Sequence, residues 1–437
     1  MKIKFAKEFL DFTYESGSTY HAVRLATKML EKEGFIRLNH KEKWKVEKGG
    51  KYFVKRTNST FIAFIVGNEI DDNTAFRLVA THTDSPCFKI KPNPEMNSEG
   101  YLRINTEVYG GPILNTWFDR PLSIAGRVIV KSDNVFAPRT INIKINEPIL
   151  TIPNVAIHQN RTVNEGMNID KQNDVLPVLT LINNEFEKDN YLMKVLVEKS
   201  EDIKKENIKI EDILDFDLFL YNYEKGTLIG ANQELISAPR IDNLASVFSG
   251  VHALLESDNH NHNINVLVGF DNEEVGSSTR QGADSNYLAN VLERIYYALG
   301  QNRNDFLEAT YRSFLISADG AHAVHPAHAE KTDPVVKPHI NEGVVLKISA
   351  AQKYTSDGYS ISVIKQIVKD KLKLQYFVNN SKFRGGSTIG PLSSTHFDAD
   401  SVDLGVPMLA MHSVRELCGV DDLFDMKELF KLFYLEK

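Results

Sequence analysis

Residues 265–278 read NVLVGFDNEEVGSS. The first six are nearly all apolar and β-favouring, which predicts a short strand buried on both faces. The polar turn that follows carries two adjacent carboxylates, Glu273 and Glu274. In open sheets of parallel strands, sites form just outside the carboxyl ends of the strands. One stretch therefore ties the fold to the chemistry.

Working outward, the same arrangement recurs. Phe76–Ala80 predicts a strand, and His82 and Asp84 follow it in THTD. Ser313–Ala318 predicts another, with Asp319 next. Val406–Met411 predicts a third, delivering His412 at its end. Asp242, in PRIDN, precedes a helix expected over Asn243–Glu256. Further helices are expected over 18–33, 285–299 and 360–371, and further strands over 61–66, 343–349 and 375–378. Strands alternating with helices predict an α/β fold, with a mixed, mostly parallel sheet flanked by helices.

Between these parts the texture changes. GYLRINTEVYG (100–110), SIAGRVIVKS (123–132) and TINIKIN (140–146) read as short strands separated by Gly, Pro, Asn and Asp. Only a stretch near 177–188 suggests a helix. The expected layout is a discontinuous catalytic domain, residues 1–92 and 234–437, with a β-rich domain of residues 93–233 inserted into it.

The chain has 437 residues, long enough for two or three domains and for a core that needs no disulfide staples. Its formal charge of −7 argues against a nucleic-acid binder, which carries a basic footprint. Cys87 and Cys418 are its only cysteines, so a disulfide-built secreted scaffold is excluded and a reducing, cytoplasmic setting is expected. No run of about 20 apolar residues predicts a membrane span.

The strand-end residues are two imidazoles and a group of carboxylates. Zinc accepts both donor types, and two divalent metals need about five protein ligands, one of them bridging. Adjacent Glu273 and Glu274 suit a division of labour, one holding metal and the other free as a base. The bland reading of each residue alone is a solvated loop. Recurrence after several strands makes that reading less apt for the group than for any one residue, and the pattern alone leaves both readings open. His322, His325 and His328 have helical spacing, but Pro326 interrupts them and a packed loop is expected. GGSTIGP (385–391) lacks the phosphate-loop pattern; it reads as a Gly-rich turn, with Gly386 letting backbone approach a ligand.

At this point the sequence resembles the M18 metallopeptidases, the aspartyl aminopeptidase family. The resemblance rests on THTDSPCFKIKPN (81–93), AIHQNR (156–161), SAPRIDNLAS (237–246), DNEEVGSS (271–278), SADGAHAVHP (317–326), GGSTIGP (385–391) and MHSVRE (411–416). It implies a hydrolase that removes N-terminal residues, Asp and Glu by preference, using two divalent metals, zinc first, with cobalt or manganese as alternatives. His82 and Asp319 would hold one metal, Glu274 and His412 the other, and Asp242 would bridge them. Glu273 would be the general base for a water shared by the metals. Asp84 would orient His82. His158 would reach a neighbouring subunit's site, in dodecamers built from dimers. Lys353 and Gly386 would contact substrate, Lys353 or Arg384 supplying the cation that an acidic side chain needs. The expected partners are peptides and copies of the same chain, with no nucleic acid and no membrane. Two alternatives stand beside this: the same enzyme with a neutral preference, or a silent scaffold relative. The second would show decay in the metal set, and all five expected ligands and Glu273 are present.

Overall fold

A computed structural model describes residues 1–182, 190–257 and 262–436. The fold is α/β, built on a nine-stranded mixed sheet. Its strands run, in spatial order, Ile36–Arg37, Lys51–Arg56, Thr60–Val66, Ile264–Phe270, Phe76–His82, Phe314–Ala318, Asp400–Gly405, Val344–Ile348 and Leu374–Val378. Phe76–His82 lies at the centre and pairs parallel with both neighbours, Ile264–Phe270 and Phe314–Ala318. These three strands are rich in apolar residues because helices cover both of their faces. On one face pack Lys2–Glu15, Thr19–Lys32, Ile241–Leu255, Gly358–Val368 and Val420–Leu435. On the other pack Tyr287–Ala298, Arg303–Arg312 and Ile389–His396.

A second sheet has six strands, in the order Arg139–Lys144, Leu122–Val130, Ile213–Asn222, Cys87–Ser98, Tyr101–Tyr109 and Val178–Leu181. It is antiparallel throughout and has its own core, including Phe88, Ile124, Val128 and Leu218. Strand Cys87–Ser98 runs through the residue 92/93 boundary expected from sequence. A third, five-stranded sheet joins Thr227–Ile229, Leu235–Ala238, Glu416–Gly419, Pro407–Leu409 and Ala321–His322.

Several expectations need correction. The helix suggested near 177–188 is a strand at Val178–Leu181, and residues 183–189 lie outside the described residues. The strand expected over Val406–Met411 is only Pro407–Leu409, and it belongs to the small sheet. The neighbour of Phe314–Ala318 in the large sheet is instead Asp400–Gly405. Among the described residues, no helix is long and apolar enough to cross a membrane.

Candidate metal centre

The carboxyl ends of the three central strands meet above the sheet. His82 is the last residue of its strand, and Asp319 follows Ala318 directly. Asp319 is fixed by its N–H donating to Leu404 O at 3.0 Å. Gly405 permits that approach, since a Cβ there would lie 1.8 Å from Asp319 O. Beyond Phe270 the chain turns through Asn272 in a left-handed conformation (φ 63°) into the short helix Glu273–Val275. Asparagine tolerates that conformation, and here its side-chain amide also donates to Tyr109 Oη at 2.9 Å. Asp242 stands at the start of Ile241–Leu255 with non-helical backbone angles. Its N–H donates to Glu416 Oε2 at 2.9 Å. The other oxygen of Glu416 accepts from His412 N at 2.7 Å, so one buried carboxylate sets both segments.

Two groups of donors result, sharing Asp242. His82 Nε2 lies 3.3 Å from Asp242 Oδ1 and 3.4 Å from Asp319 Oδ1. His412 Nε2 lies 3.5 Å from Asp242 Oδ2 and 3.3 Å from Glu274 Oε2. Ligand atoms of His82, Asp242 and Asp319 lie within 4.8 Å of one another, as do those of Asp242, Glu274 and His412. Both imidazoles are turned by their other nitrogen. His82 Nδ1 faces Asp84 O at 3.1 Å, and His412 Nδ1 faces Gly111 O at 3.1 Å. A proton on Nδ1 leaves the Nε2 lone pair facing the carboxylates, the usual posture of a metal-ligating histidine.

Asp84 holds more than His82. Its carboxylate accepts the backbone N–H groups of Glu273 and Glu274, each at 3.2 Å, and the Tyr109 hydroxyl at 2.8 Å. It thus ties the His82 turn to the Glu-Glu turn and to strand Tyr101–Tyr109.

The electrostatics are those of crowded, buried acids. Burial pushes Glu273 up to about 8, and Asp319, Asp84 and Asp242 add repulsion against the opposing pull of His82. Burial also raises Glu274 well above the carboxylate range, with Asp242 the next cause. Burial alone would lower His82, but bonds to Asp242, Asp319 and Asp84 carry it well above an ordinary imidazole. His412 rises to about 9 because Asp242 outweighs its burial. Asp242 is driven the other way: burial opposes its charge, yet His412 and His82 hold it below the usual carboxylate range. Asp242 Oδ1 and Glu274 Oε1 are buried without a hydrogen-bond partner among the described residues. Mixed imidazole and carboxylate donors, with orphaned oxygens between them, fit divalent cations such as zinc.

A cleft of about 250 Å³ opens onto Asp242, Glu273, Glu274, Asp319 and His412. Gly386 lines it, as the sequence suggests. Lys353 does not; it is half-buried, and its carbonyl accepts from Ser387 Oγ. The cation in the wall is Lys347, which the sequence reading missed. It projects from strand Val344–Ile348 and donates to Gly320 O at 2.9 Å, with Nζ 3.4 Å from Asp319 Oδ2. His158 is exposed on the turn 157–159 and is not among the residues lining the cleft of a single chain. Arg384 is exposed as well. His322 lines the cleft, whereas His325 and His328 pack their rings together in an exposed loop. Glu416 was also missed, and its only sequence signal is an acid within MHSVRE.

Comparison with known proteins shows the family. The model of the Aminopeptidase I zinc metalloprotease (M18) family matches residues 12–434. A Clostridium novyi protein named "Probable M18 family aminopeptidase 2" is 53% identical over 435 residues, covering 99% of each chain. A chain from a cryo-EM structure of an Ape4 and Nbr1 complex superimposes with a TM-score of 0.95 at 36% identity, over 99% of this chain and 86% of that one. A chain from the structure of an S. cerevisiae mApe1 dodecamer gives a TM-score of 0.83 at 26% identity, covering 98% and 96%.

Proposed function

This chain belongs to the M18 family and is a metal-dependent aminopeptidase, and on that premise we propose that it removes acidic N-terminal residues at a two-cation centre. His82 and Asp319 would hold one cation, Glu274 and His412 the second, and Asp242 both. The observation that carries this reading is the sharing of Asp242, whose two oxygens face different imidazoles. When bound, the cations supply Lewis acidity, lowering the pKa of water and polarising the scissile carbonyl. Zinc is the first choice, with cobalt or manganese as alternatives.

Glu273 would act on protons. It takes the proton of the attacking water and returns it to the leaving amine. Burial and neighbouring carboxylates raise its proton affinity, which suits the first of these roles. Asp84 would position rather than react, since it holds His82 and the backbone of Glu273 and Glu274.

Substrate choice would rest on Lys347, not Lys353. A buried ammonium in the cleft wall favours an acidic side chain beside it. Gly386, across the same cleft, would let backbone approach the peptide.

The six-stranded sheet and its loops would be an inserted domain serving assembly, interrupting a catalytic domain formed by the rest of the chain. Likeness to a chain of a dodecamer supports a homo-oligomer. His158, exposed in a single chain, would complete a neighbour's site as a donor to the developing oxyanion.

The test is activity of metal-reconstituted protein on peptides differing only in their first residue. Cleavage of Asp- and Glu-peptides well above Leu-peptides supports the acidic reading. Preference for Leu-peptides at equal metal content replaces it with a neutral one.

A further inference from the structure

Two loops wall the substrate cleft beside Lys347. One is the connection 349–357, which contributes Tyr354; the other contributes Gly386, Ser387 and Thr388, just before helix Ile389–His396. One carboxylate behind the wall reaches both. Asp403 is fully buried in mid-strand, within Asp400–Gly405, and is not among the residues lining the cleft. Its Oδ2 accepts from Thr355 N at 2.7 Å and from Thr355 Oγ1 at 2.9 Å. Its Oδ1 accepts from Thr388 Oγ1 and from Ser317 Oγ, each at 2.6 Å. Its own N–H donates to Ser356 Oγ at 2.8 Å. A Cβ on Gly390 would lie 2.5 Å from Asp403 Oδ2, so the helix after Thr388 starts directly against the carboxylate. Lys347 is close by in the sheet: Leu346 pairs with Leu404, and Lys347 and Asp403 are their neighbours on the two strands.

Burying a carboxylate is costly unless donors surround it. Once fully satisfied, such a group fixes a unique arrangement of its partners. The partners here are chiefly the cleft loops; Ser317, on strand Phe314–Ala318, is the exception. Thr355 follows Tyr354, whose ring centroid lies 5.2 Å from Lys347 Nζ. We propose that Asp403 is a positioning residue for substrate choice. By tying Thr355 and Thr388 to one carboxylate, it fixes the width of the cleft beside Lys347 and so the fit of the substrate's first side chain. This role rests on the reading that the cleft at Lys347 and Gly386 frames that side chain. Asp403 itself acts only through the two loops.

Thr355→Val and Thr388→Val keep the side-chain shape and each take one hydroxyl from Asp403. In metal-loaded protein, each should lower the ratio of kcat/KM for Asp- over Leu-peptides about tenfold, the worth of one hydrogen bond to a charged group, with the loss in KM for Asp-peptides rather than in kcat. Thr388→Ser, which keeps the hydroxyl, should restore the wild-type ratio. Ser317→Ala removes the bond that leads to a strand instead of a loop; it should lower the thermal midpoint and leave the ratio unchanged. If one Val variant does not fold, the other carries the test. An unchanged ratio, or equal losses on both peptides, overturns the proposal. So does a shift in Ser317→Ala as large as that in the Val variants. A wild type that prefers Leu-peptides removes the acidic preference alone; the same variants must then shift the ratio for Leu- over Ala-peptides, and no shift there overturns the role of Asp403.

Discussion

Loading the metal centre is expected to release protons at pH 7, at least about one, from His412. The count comes from the surroundings of each ligand. His82 stands among three carboxylates that carry it well above an ordinary imidazole, and Asp242 raises His412 to about 9. His412 therefore carries a proton at pH 7 in the metal-free protein. Burial raises Glu274 in the same direction, while His412 and His82 hold Asp242 below the usual carboxylate range. A cation competes for the same lone pairs, so each proton must leave. The sign follows: affinity rises with pH, by about tenfold per pH unit for each proton released. His412 alone gives about tenfold per unit between pH 7 and 8, and the raised His82 and Glu274 act in the same direction. The dependence should flatten near pH 9, where His412 loses its proton unaided. Calorimetric titration of chelator-stripped protein with zinc, in two buffers of different ionisation enthalpy, yields the proton number directly. His412→Gln should release about one proton fewer. A proton number near zero, or an unchanged number in His412→Gln, would refute the reasoning.

Four further outcomes are expected. Glu273→Gln should lower kcat by about 10²–10⁴ while metal content, measured by elemental analysis, stays near wild type; near-normal turnover would remove Glu273 as the base. Lys347→Met should cut the ratio of kcat/KM for Asp- over Leu-peptides by about 10–100-fold, the worth of one charge-assisted hydrogen bond; an unchanged ratio would place the selecting cation elsewhere. Burial, with Arg24, Lys144 and Arg240 nearby, holds His21 well below an ordinary imidazole, so the folded protein excludes a proton that the unfolded chain accepts near pH 6.5. That stability is complete above about pH 6.5 and falls by about 1.4 kcal/mol per unit below it; denaturant melts of His21→Gln should lack this slope, and parallel curves would exclude the role. Finally, His158→Ala subunits mixed with Glu273→Gln subunits should regain part of the activity if His158 acts across an interface, and failure to regain any in confirmed mixed assemblies would count against it.

The central strands were legible because burial on both faces leaves a mostly apolar run, as in 264–270. Asp400–Gly405 hid for the opposite reason. Its Asp403 is fully buried, and its carboxylate is satisfied by Ser317, Thr388 and Thr355. An acid in mid-strand breaks the pattern, and its partners lie far away in sequence. Helix Lys2–Glu15 is legible in principle, since Phe5, Phe9 and Phe12 repeat on one face. At the site, the candidate donors showed because strand ends gather chemistry. Lys347 did not, because inside VVLKI it reads as an ordinary strand residue. Its significance comes from Asp319 on a different strand.

Strand Tyr101–Tyr109 and the turn after it touch both halves of the metal centre, through Tyr109 on Asp84 and Gly111 O on His412. The six-stranded unit is therefore not an interchangeable module. A chimera carrying a relative's insert would have to reproduce the hydroxyl at 109 and the carbonyl at 111 in register, while its outer rim is free to diverge. Sequence drift in this unit should accordingly be uneven, slow along one short segment and fast at the periphery. Any strain that a neighbouring copy places on the rim has a route of three residues to the imidazoles.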